Sequence, residues 1–312
     1  MKTWDYLQSW DTAQILVYGS LAGLAVVLLC AVLSVLVVLK RLAFVGQGVS
    51  HSAFGGIGVA AVLGAATGSA WLSQGSVGEF VVVTIFCVAA ALGMAAVSDR
   101  KSVKVDTGIG LFLVGSMALG AILVQFAGTV ARWAGTSPPQ RSWESILFGS
   151  VLSAGVSDVI VAWGVLVLSM GVLWWIRRPM LFWAFDEQSA PAFGVRGTGL
   201  RLTMMVLLAV ATVTAMKLCG VVLATALLVL PGATALKISA RLWVVVSVAC
   251  AVGVVGLVGG LVASVETDLG PGPCVVMVLA VVFGGAMLVG RRGGEQRRGR
   301  TVSRPIMERS GV

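Results

Sequence analysis

Charged side chains are scarce in this 312-residue chain. Asp, Glu, Lys and Arg together make up 11% of it, against roughly a quarter in soluble domains, while hydrophobic residues make up 58%. Several of the apolar runs reach the ~20 residues that a membrane-spanning helix needs. The composition therefore predicts an all-α integral membrane protein with about 8–9 transmembrane helices and almost no domain outside the membrane.

Three further absences exclude classes of function. No Gly-Lys dipeptide occurs, so the chain has no phosphate-binding P-loop, and any ATP hydrolysis must come from a partner. None of the 13 Asp and Glu residues lies in the middle of a predicted span, which argues against a proton-driven carrier and against an intramembrane enzyme. The 5 cysteines show no CxxC spacing, so we interpret them as packing residues without a disulfide framework.

The basic residues lie in short connections between apolar runs and in the C-terminal tail. A net charge of +9 distributed in this way is the signal of membrane orientation, not of nucleic-acid binding. It places the N-terminus outside and the C-terminus in the cytoplasm of a multi-pass plasma-membrane protein. We divide the chain into an extracellular segment 1–14, a transmembrane domain 15–290 and a basic cytoplasmic tail 291–312, whose polar, Gly-rich composition predicts disorder close to anionic lipids.

Nine crossings are predicted, and one pair of them is ambiguous. The apolar runs 200–217 and 219–234 are joined with hardly any polar sequence between them, so a tight hairpin and a broken helix both fit. Pro231 and Gly232 are expected to end the second run near the cytoplasm. The nine predicted spans are 15–39, 53–72, 80–98, 107–127, 157–176, 200–217, 219–234, 242–264 and 274–290.

A polar segment in the middle of the chain, residues 183–202, separates two long apolar runs. Asp186 is suited to cap a helix with Glu187 in its first turn, and Pro191 is tolerated only near a helix start. Gly194 and Gly197 are suited to end that helix. The segment therefore predicts a short cytoplasmic helix on the membrane surface, at about 186–197, where a cytoplasmic partner would reach it.

The single histidine, His51, is the one candidate for a ligand site. Gln47 precedes it by four residues, so the two side chains share one face of a helix, with Ser50 adjacent. An imidazole, an amide oxygen and a hydroxyl can together form a transient metal site in a transport path. The alternative is a hydrogen-bonded polar residue that helps helices pack among small neighbours.

Four stretches, in order along the chain, resemble the ABC-3 family, the permease subunits of ABC importers for zinc, manganese and iron. The third of them, which has two parts, is the most specific. The stretches are RLAFVGQGVSHSAFGGIGVA, VKVDTGIGLFLVGSMALGAIL, FDEQSAPAFGVRGTGL with KLCGVVLATALLVLPGATA, and SVETDLGPGPCVVMVLAVVFG. Together they cover most of residues 15–290.

The resemblance implies a type II ABC importer-like permease that acts as a homodimer, with the transport path on its two-fold axis. It implies two cytoplasmic ABC ATPases, an extracellular substrate-binding lipoprotein, and no cofactor bound by this chain, since ATP is used by the partner. The central segment would be the coupling helix that docks into the ATPase. Its candidate contact residues are Phe185, Asp186, Glu187, Ala190, Ala192, Phe193, Gly194 and Val195.

One departure from the family pattern concerns the substrate. Metal-importing relatives have an Asp in the Gly-Asp motif where this chain has Gln47, whereas the histidine is retained as His51. A carboxylate would offer charge to a divalent cation, and a neutral amide does not. A metal, a metal chelate or a non-metal substrate therefore all stay open, as does a divergent branch of the family. A secondary carrier or channel is the alternative outside it.

Overall fold

The computed structural model describes residues 10–73, 75–98, 105–135, 149, 154–186, 189–194 and 197–302. Within these ranges the regular structure is entirely helical. Two short 3-10 helices accompany the α-helices, at Ala70–Leu72 and Ala190–Phe193. The α-helices are α1 (Trp10–Leu39), α2 (Ala43–Thr67), α3 (Val77–Ser98), α4 (Val105–Ala134), α5 (Val156–Trp175), α6 (Arg177–Phe185), α7 (Gly197–Leu227), α8 (Leu230–Ile238), α9 (Leu242–Thr267) and α10 (Pro271–Val302).

Among the described residues, 8 helical segments are long and apolar enough to cross a membrane. One of them, Gly197–Ile238, has 42 residues and combines α7 with α8. Because a helix rises ~1.5 Å per residue and the hydrocarbon core is ~30 Å thick, 42 residues suffice for two crossings. The prediction of an all-α membrane protein with eight to nine spans is confirmed.

The long segment reverses direction at Gly220, whose φ of 79° and ψ of 168° interrupt the helix. Just before it, the Lys217 ammonium pairs with the Asp158 carboxylate, at the start of α5, at 2.8 Å. After Gly220 the chain runs back to the other end of the bundle, where Leu228 lies beside the start of α2. A Cβ placed on Gly46 would be 3.6 Å from the Leu228 side chain. Of the two alternatives for this region, the hairpin is therefore the one observed.

The returning half also differs from the sequence-based expectation at Pro231. Instead of ending the span, Pro231 lies in the first turn of α8, where its missing N–H would have no intrahelical acceptor. The helix then continues to Ile238. Gly232 makes this possible, since a Cβ at that position would lie 2.5 Å from the backbone of Ser34 in α1.

Substituting Gly220 tests the reversal. Its φ and ψ lie in a region that only glycine occupies at low cost, so Gly220→Ala is expected to destabilise the protein by about 1–3 kcal/mol. The measurement is the thermal unfolding midpoint in detergent. Gly164→Ala is the matched control, because nothing lies within 4 Å of a Cβ there, and it should leave the midpoint unchanged or slightly raised. Equal midpoints for the two variants would show that Gly220 is not strained.

The core lies between α1 and the α7–α8 hairpin, and the other helices surround it. Leu29 and Leu33 of α1 and Met204 and Leu208 of α7 are completely buried. The outer helices α4, α5 and α10 instead expose apolar side chains, which suits a lipid environment because lipid is as apolar as they are. The five cysteines are unpaired, and all but Cys250 are buried among the helices.

Basic residues gather at one end of the bundle, which we call the basic end. Lys40 and Arg41 follow α1, Arg177 and Arg178 begin α6, and Arg241 precedes α9. The last helix differs from expectation here, because α10 runs on to Val302 instead of ending near Gly290. The predicted disordered tail thus has a helical first part, and its residues from 303 onward lie outside the described ranges, as do residues 1–9 of the N-terminal segment.

Candidate functional site

The first turns of α2 carry the two candidate ligands on one face. Gln47 is exposed and His51 is half-buried, four residues further along the helix. Further along the same face, Gly55 and Gly58 are buried against α3 and α4, so this face is open only at the first turns of the helix. The structure therefore confirms that Gln47 and His51 share one face, as their spacing predicts.

One ring nitrogen of His51 lacks a hydrogen-bond partner among the described residues. Its Nδ1 is buried and has no hydrogen-bond partner among the described residues. The ring stacks on Phe54, with 6.1 Å between centroids and 11° between planes, which fixes its orientation. A buried polar atom without a partner costs free energy, so in native structures such an atom calls for an explanation such as a bound water or ion.

The hydroxyls of Ser50 and Ser52, which neighbour His51, bond back to their own helix. Ser50 is fully buried and its hydroxyl donates to the carbonyl oxygen of Gln47 at 2.9 Å. Ser52 donates to the carbonyl oxygen of Gly48 at 2.8 Å and accepts from the Ser116 hydroxyl of α4 at 3.3 Å. Both serine hydroxyls thus donate their protons to helix carbonyls, as serine commonly does in apolar surroundings, and Ser50 is buried whereas Gln47 is exposed.

Glycines of α2 set its distance from its neighbours. A Cβ on Gly48 would lie 2.9 Å from Ile109 and from Met94, and one on Gly58 would lie 2.8 Å from Leu123. Small residues of this kind let helices approach closely in membranes. The glycines therefore hold α2 close to α3 and α4 and fix the rotation at which Gln47 and His51 are presented.

One chain alone does not supply a complete metal site at this position. No group of three or more His, Cys, Asp or Glu side chains that could hold a metal occurs among the described residues. Gln47 and His51 offer one oxygen and one nitrogen, whereas a bound zinc ion takes about four ligands. This geometry suits a weak, transient site, or one that is completed by other groups.

The central segment lies at the basic end and is built differently from its prediction. The α-helix is α6, which ends at Phe185, and Asp186 follows it, accepting a hydrogen bond from the Ser189 N–H at 3.0 Å. Within the predicted helix at 186–197, the described residues 189–194 contain the 3-10 helix Ala190–Phe193. Gly194, with φ of 73°, ends it in the left-handed conformation, so a longer helix cannot form.

The candidate contact residues divide into an exposed and a buried group. Phe185 is 67% exposed and Phe193 is 72% exposed, and Phe193 packs edge-on against Phe182 at 5.2 Å. Ala190 is completely buried and therefore supports the turn instead of contacting a partner. Glu187 and Val195 lie outside the described residues, and so does the side chain of Ala192. The exposed surface of the segment therefore includes two aromatic rings, Phe185 at the end of α6 and Phe193 on the turn.

The sequence profile of the ABC 3 transport family matches residues 12–290. The chain belongs to the ABC-3 family. It is 30% identical over 283 residues to the manganese transport system membrane protein MntC of Halalkalibacterium halodurans, covering 91% of this chain and 87% of that protein. It is 26% identical over 272 residues to the high-affinity zinc uptake system membrane protein ZnuB of Haemophilus influenzae, covering 86% of this chain and 95% of that protein.

Solved structures show the same fold. PsaBC from Streptococcus pneumoniae, in complex with Fab, matches with a TM-score of 0.74 and 24% sequence identity, covering 90% of this chain and 93% of that one. An inward-facing putative metal-chelate type ABC transporter matches with a TM-score of 0.64 and 18% identity, covering 90% of each chain. The chain is thus an ABC-3 transmembrane permease, a multi-pass transport subunit in a family that acts with a separate ATPase and a substrate-binding protein.

Sequence reasoning missed the contacts that join distant parts of this ABC-3 permease. The sequence places Trp183 only in a polar segment, yet the side chain is buried beneath the Lys40 ammonium, which lies 3.9 Å from the centroid of the indole ring. The ion pair between Lys217 and Asp158 was not expected either. The available signals were a tryptophan inside a basic segment and a lysine between two apolar runs, and neither names its partner.

Proposed function

We propose that this chain, paired with a second copy, forms the path by which a divalent metal ion such as zinc, manganese or iron, or a metal chelate, crosses the plasma membrane. The observation that carries this proposal is the open face of α2, where Gln47 is exposed and the Nδ1 of His51 lacks a partner among the described residues. Metal-transport proteins among the relatives support the same substrate class.

A second copy would complete the site. Two copies of Gln47 and His51, brought together across a two-fold axis, would provide two oxygens and two nitrogens. All four donors are neutral, so they would bind a divalent ion without compensating its charge. Such a site holds the ion weakly and releases it quickly, which suits passage more than storage. Selection of the metal would then rest mainly on the binding protein.

The partners follow from the charge distribution. The basic end would lie in the cytoplasm, where the ATPase would dock onto the coupling segment, which we define as residues 185–195. The opposite end, with the start of α5, would face the extracellular binding lipoprotein. The basic residues would also meet anionic lipid headgroups of the inner leaflet.

Reconstitution tests this function directly. The permease is co-purified with its ATPase and binding protein, placed in vesicles, and assayed for ATP-dependent accumulation of zinc, manganese and iron. We expect uptake of at least one metal. Accumulation without ATP would favour a secondary carrier or channel. Stimulated ATP hydrolysis without uptake of any metal would still support an ABC permease, but it would indicate that the substrate is a chelate or a non-metal compound.

Gln47→Asp tests the contact with the metal. The substitution adds one negative charge per copy on an exposed face, so we expect zinc or manganese to bind at least about tenfold more tightly, with slower turnover at saturating metal. Binding is measured by calorimetry on the purified permease, and turnover in vesicles. Gln47→Asn is the matched control, because it keeps a neutral amide and should bind no more tightly than the native chain. Equal metal affinities of the Gln47→Asp and Gln47→Asn variants would show that position 47 does not contact the transported metal.

A further inference from the structure

Trp183 occupies a central position at the basic end. It lies on α6, two residues before the coupling segment, and is only 2% exposed. Met180, on the same face of α6, is equally buried, whereas Phe185 faces outward. The helix is therefore seated on the bundle through Trp183 and Met180, and it carries the coupling segment at its C-terminal end.

Two other elements hold the indole ring. The Lys40 ammonium lies 3.9 Å from the ring centroid, a cation–π contact with the residue that follows α1. On the α7 side, a Cβ on Gly197 would lie 3.3 Å from the indole Nε1. That nitrogen is buried and has no hydrogen-bond partner among the described residues. The ring is thus held by packing and by the cation, without a hydrogen bond that would fix it to one place.

The connection from Lys40 to α2, the helix that carries Gln47 and His51, is short and stiff. Only Arg41 and Leu42 separate Lys40 from the start of α2, and the Leu42 N–H donates to the carbonyl oxygen of Val37 at 2.8 Å. Arg41 has a φ of 56°, which closes the turn tightly. Because this connection is short and hydrogen-bonded, a displacement of Lys40 would also displace the first turn of α2, where Gln47 lies.

The coupling segment is joined to α6 in an equally direct way. The rings of Phe182 and Phe193 pack edge-on at 5.2 Å, and Phe182 is adjacent to Trp183 in the chain. A push on Phe193 from a partner would therefore reach α6 and, through Trp183, Lys40. The contacts form a continuous chain from the coupling segment to the first turn of α2.

We propose that Trp183, seated against Gly197 of α7, is a positioning residue that transmits movement of the coupling segment to the first turn of α2 through Lys40. The ATPase would thereby change the position of Gln47 and His51 without contacting α2. This inference rests on the proposed function. It names residues outside the coupling segment whose loss should separate ATP hydrolysis from transport.

The experiment measures ions accumulated per ATP hydrolysed by the complete transporter in vesicles, with zinc, manganese and iron as probes. Trp183→Leu and Lys40→Met are each expected to lower this ratio about tenfold, with ATPase binding and basal hydrolysis unchanged. Trp183→Phe keeps an aromatic ring and Lys40→Arg keeps a cation, so both variants should retain most of the native ratio of ions to ATP. Lys237→Met, which removes an exposed lysine from the same end, is the control and should behave like the native chain.

The outcomes separate this inference from the proposed function. A native ratio in both Trp183→Leu and Lys40→Met would overturn the transmission role while leaving metal transport intact. Parallel loss of assembly, hydrolysis and uptake in Lys40→Met, whose side chain is only half-buried, would assign the contact a structural role and also overturn it. Failure of the native transporter to take up any metal would overturn the proposed function itself.

Discussion

Phe193→Ala is expected to abolish most ATP-driven uptake, with a reduction of about 30-fold, while the permease remains folded and inserted. Phe193 is 72% exposed at the tip of the coupling segment, so its removal costs the fold little. Aromatic residues at the centre of an interface commonly contribute ~2 kcal/mol or more to binding, which corresponds to a factor of about 30 in affinity. The measurements are ATPase binding to the detergent-solubilised permease and uptake in vesicles.

Ile238→Ala is the control for this prediction. Ile238 is an exposed apolar residue at the basic end, 58% exposed, but it lies at the end of α8 and outside the coupling segment. Its truncation should leave ATPase binding and uptake at native values. Native uptake in Phe193→Ala would show that the coupling segment has been assigned to the wrong residues. A lower unfolding midpoint would instead indicate that the contact with Phe182 stabilises the turn.

His51→Ala is expected to lower metal uptake by at least about tenfold and to lower the amount of protein in the membrane much less. The imidazole is the one nitrogen ligand that this chain offers, and removal of groups that merely support a metal ligand already costs 10–100-fold in affinity or activity. The measurement is uptake of zinc and manganese in vesicles, divided by the amount of permease. Its buried Nδ1 has no partner to lose among the described residues, so the cost in stability should be modest.

Two variants separate the ligand role of His51 from a packing role. His51→Gln restores a side chain that can coordinate a metal and should recover part of the uptake. His51→Leu restores volume against Phe54 without a ligand atom, and should recover stability but not uptake. Recovery with leucine, or equal loss of protein and uptake in His51→Ala, would favour packing.

The number and type of spans could be predicted because they depend on local composition. The reversal at Gly220 could not be resolved from sequence, since the residues on both sides are apolar and neither helical run is interrupted by a polar turn. It is fixed by distant contacts, with Lys217 held by Asp158 and Leu228 seated beside Gly46. Such contacts between separate parts of the chain carry no local signal.

The central segment shows how local signals mislead. Asp186, Pro191 and Gly194 each favour a helix terminus, and their order suggested one helix between them. In the structure Asp186 follows a helix instead of starting one, and Pro191 lies in a 3-10 turn. The helix before it, α6, was not predicted because its basic first turn resembles the end of a span. What the sequence could predict was the location of the segment at the basic end.

The candidate metal ligands show the opposite case. The spacing of Gln47 and His51 was enough to place them on one face, because a helix repeats every ~3.6 residues. Their exposure could not be predicted, since it depends on which side of α2 meets α3 and α4. The burial of Ser50 likewise depends on how α2 packs against its neighbours.

The glycine contacts of α2 have a consequence for genetics. Gly48 and Gly58 touch α3 and α4 closely, although neither offers a ligand atom. A larger residue at either position would rotate or displace the whole helix and carry both ligands with it. A selection for strains that survive toxic metal should therefore recover changes at these glycines as often as at the ligands, in alleles that no survey of metal-binding side chains would find.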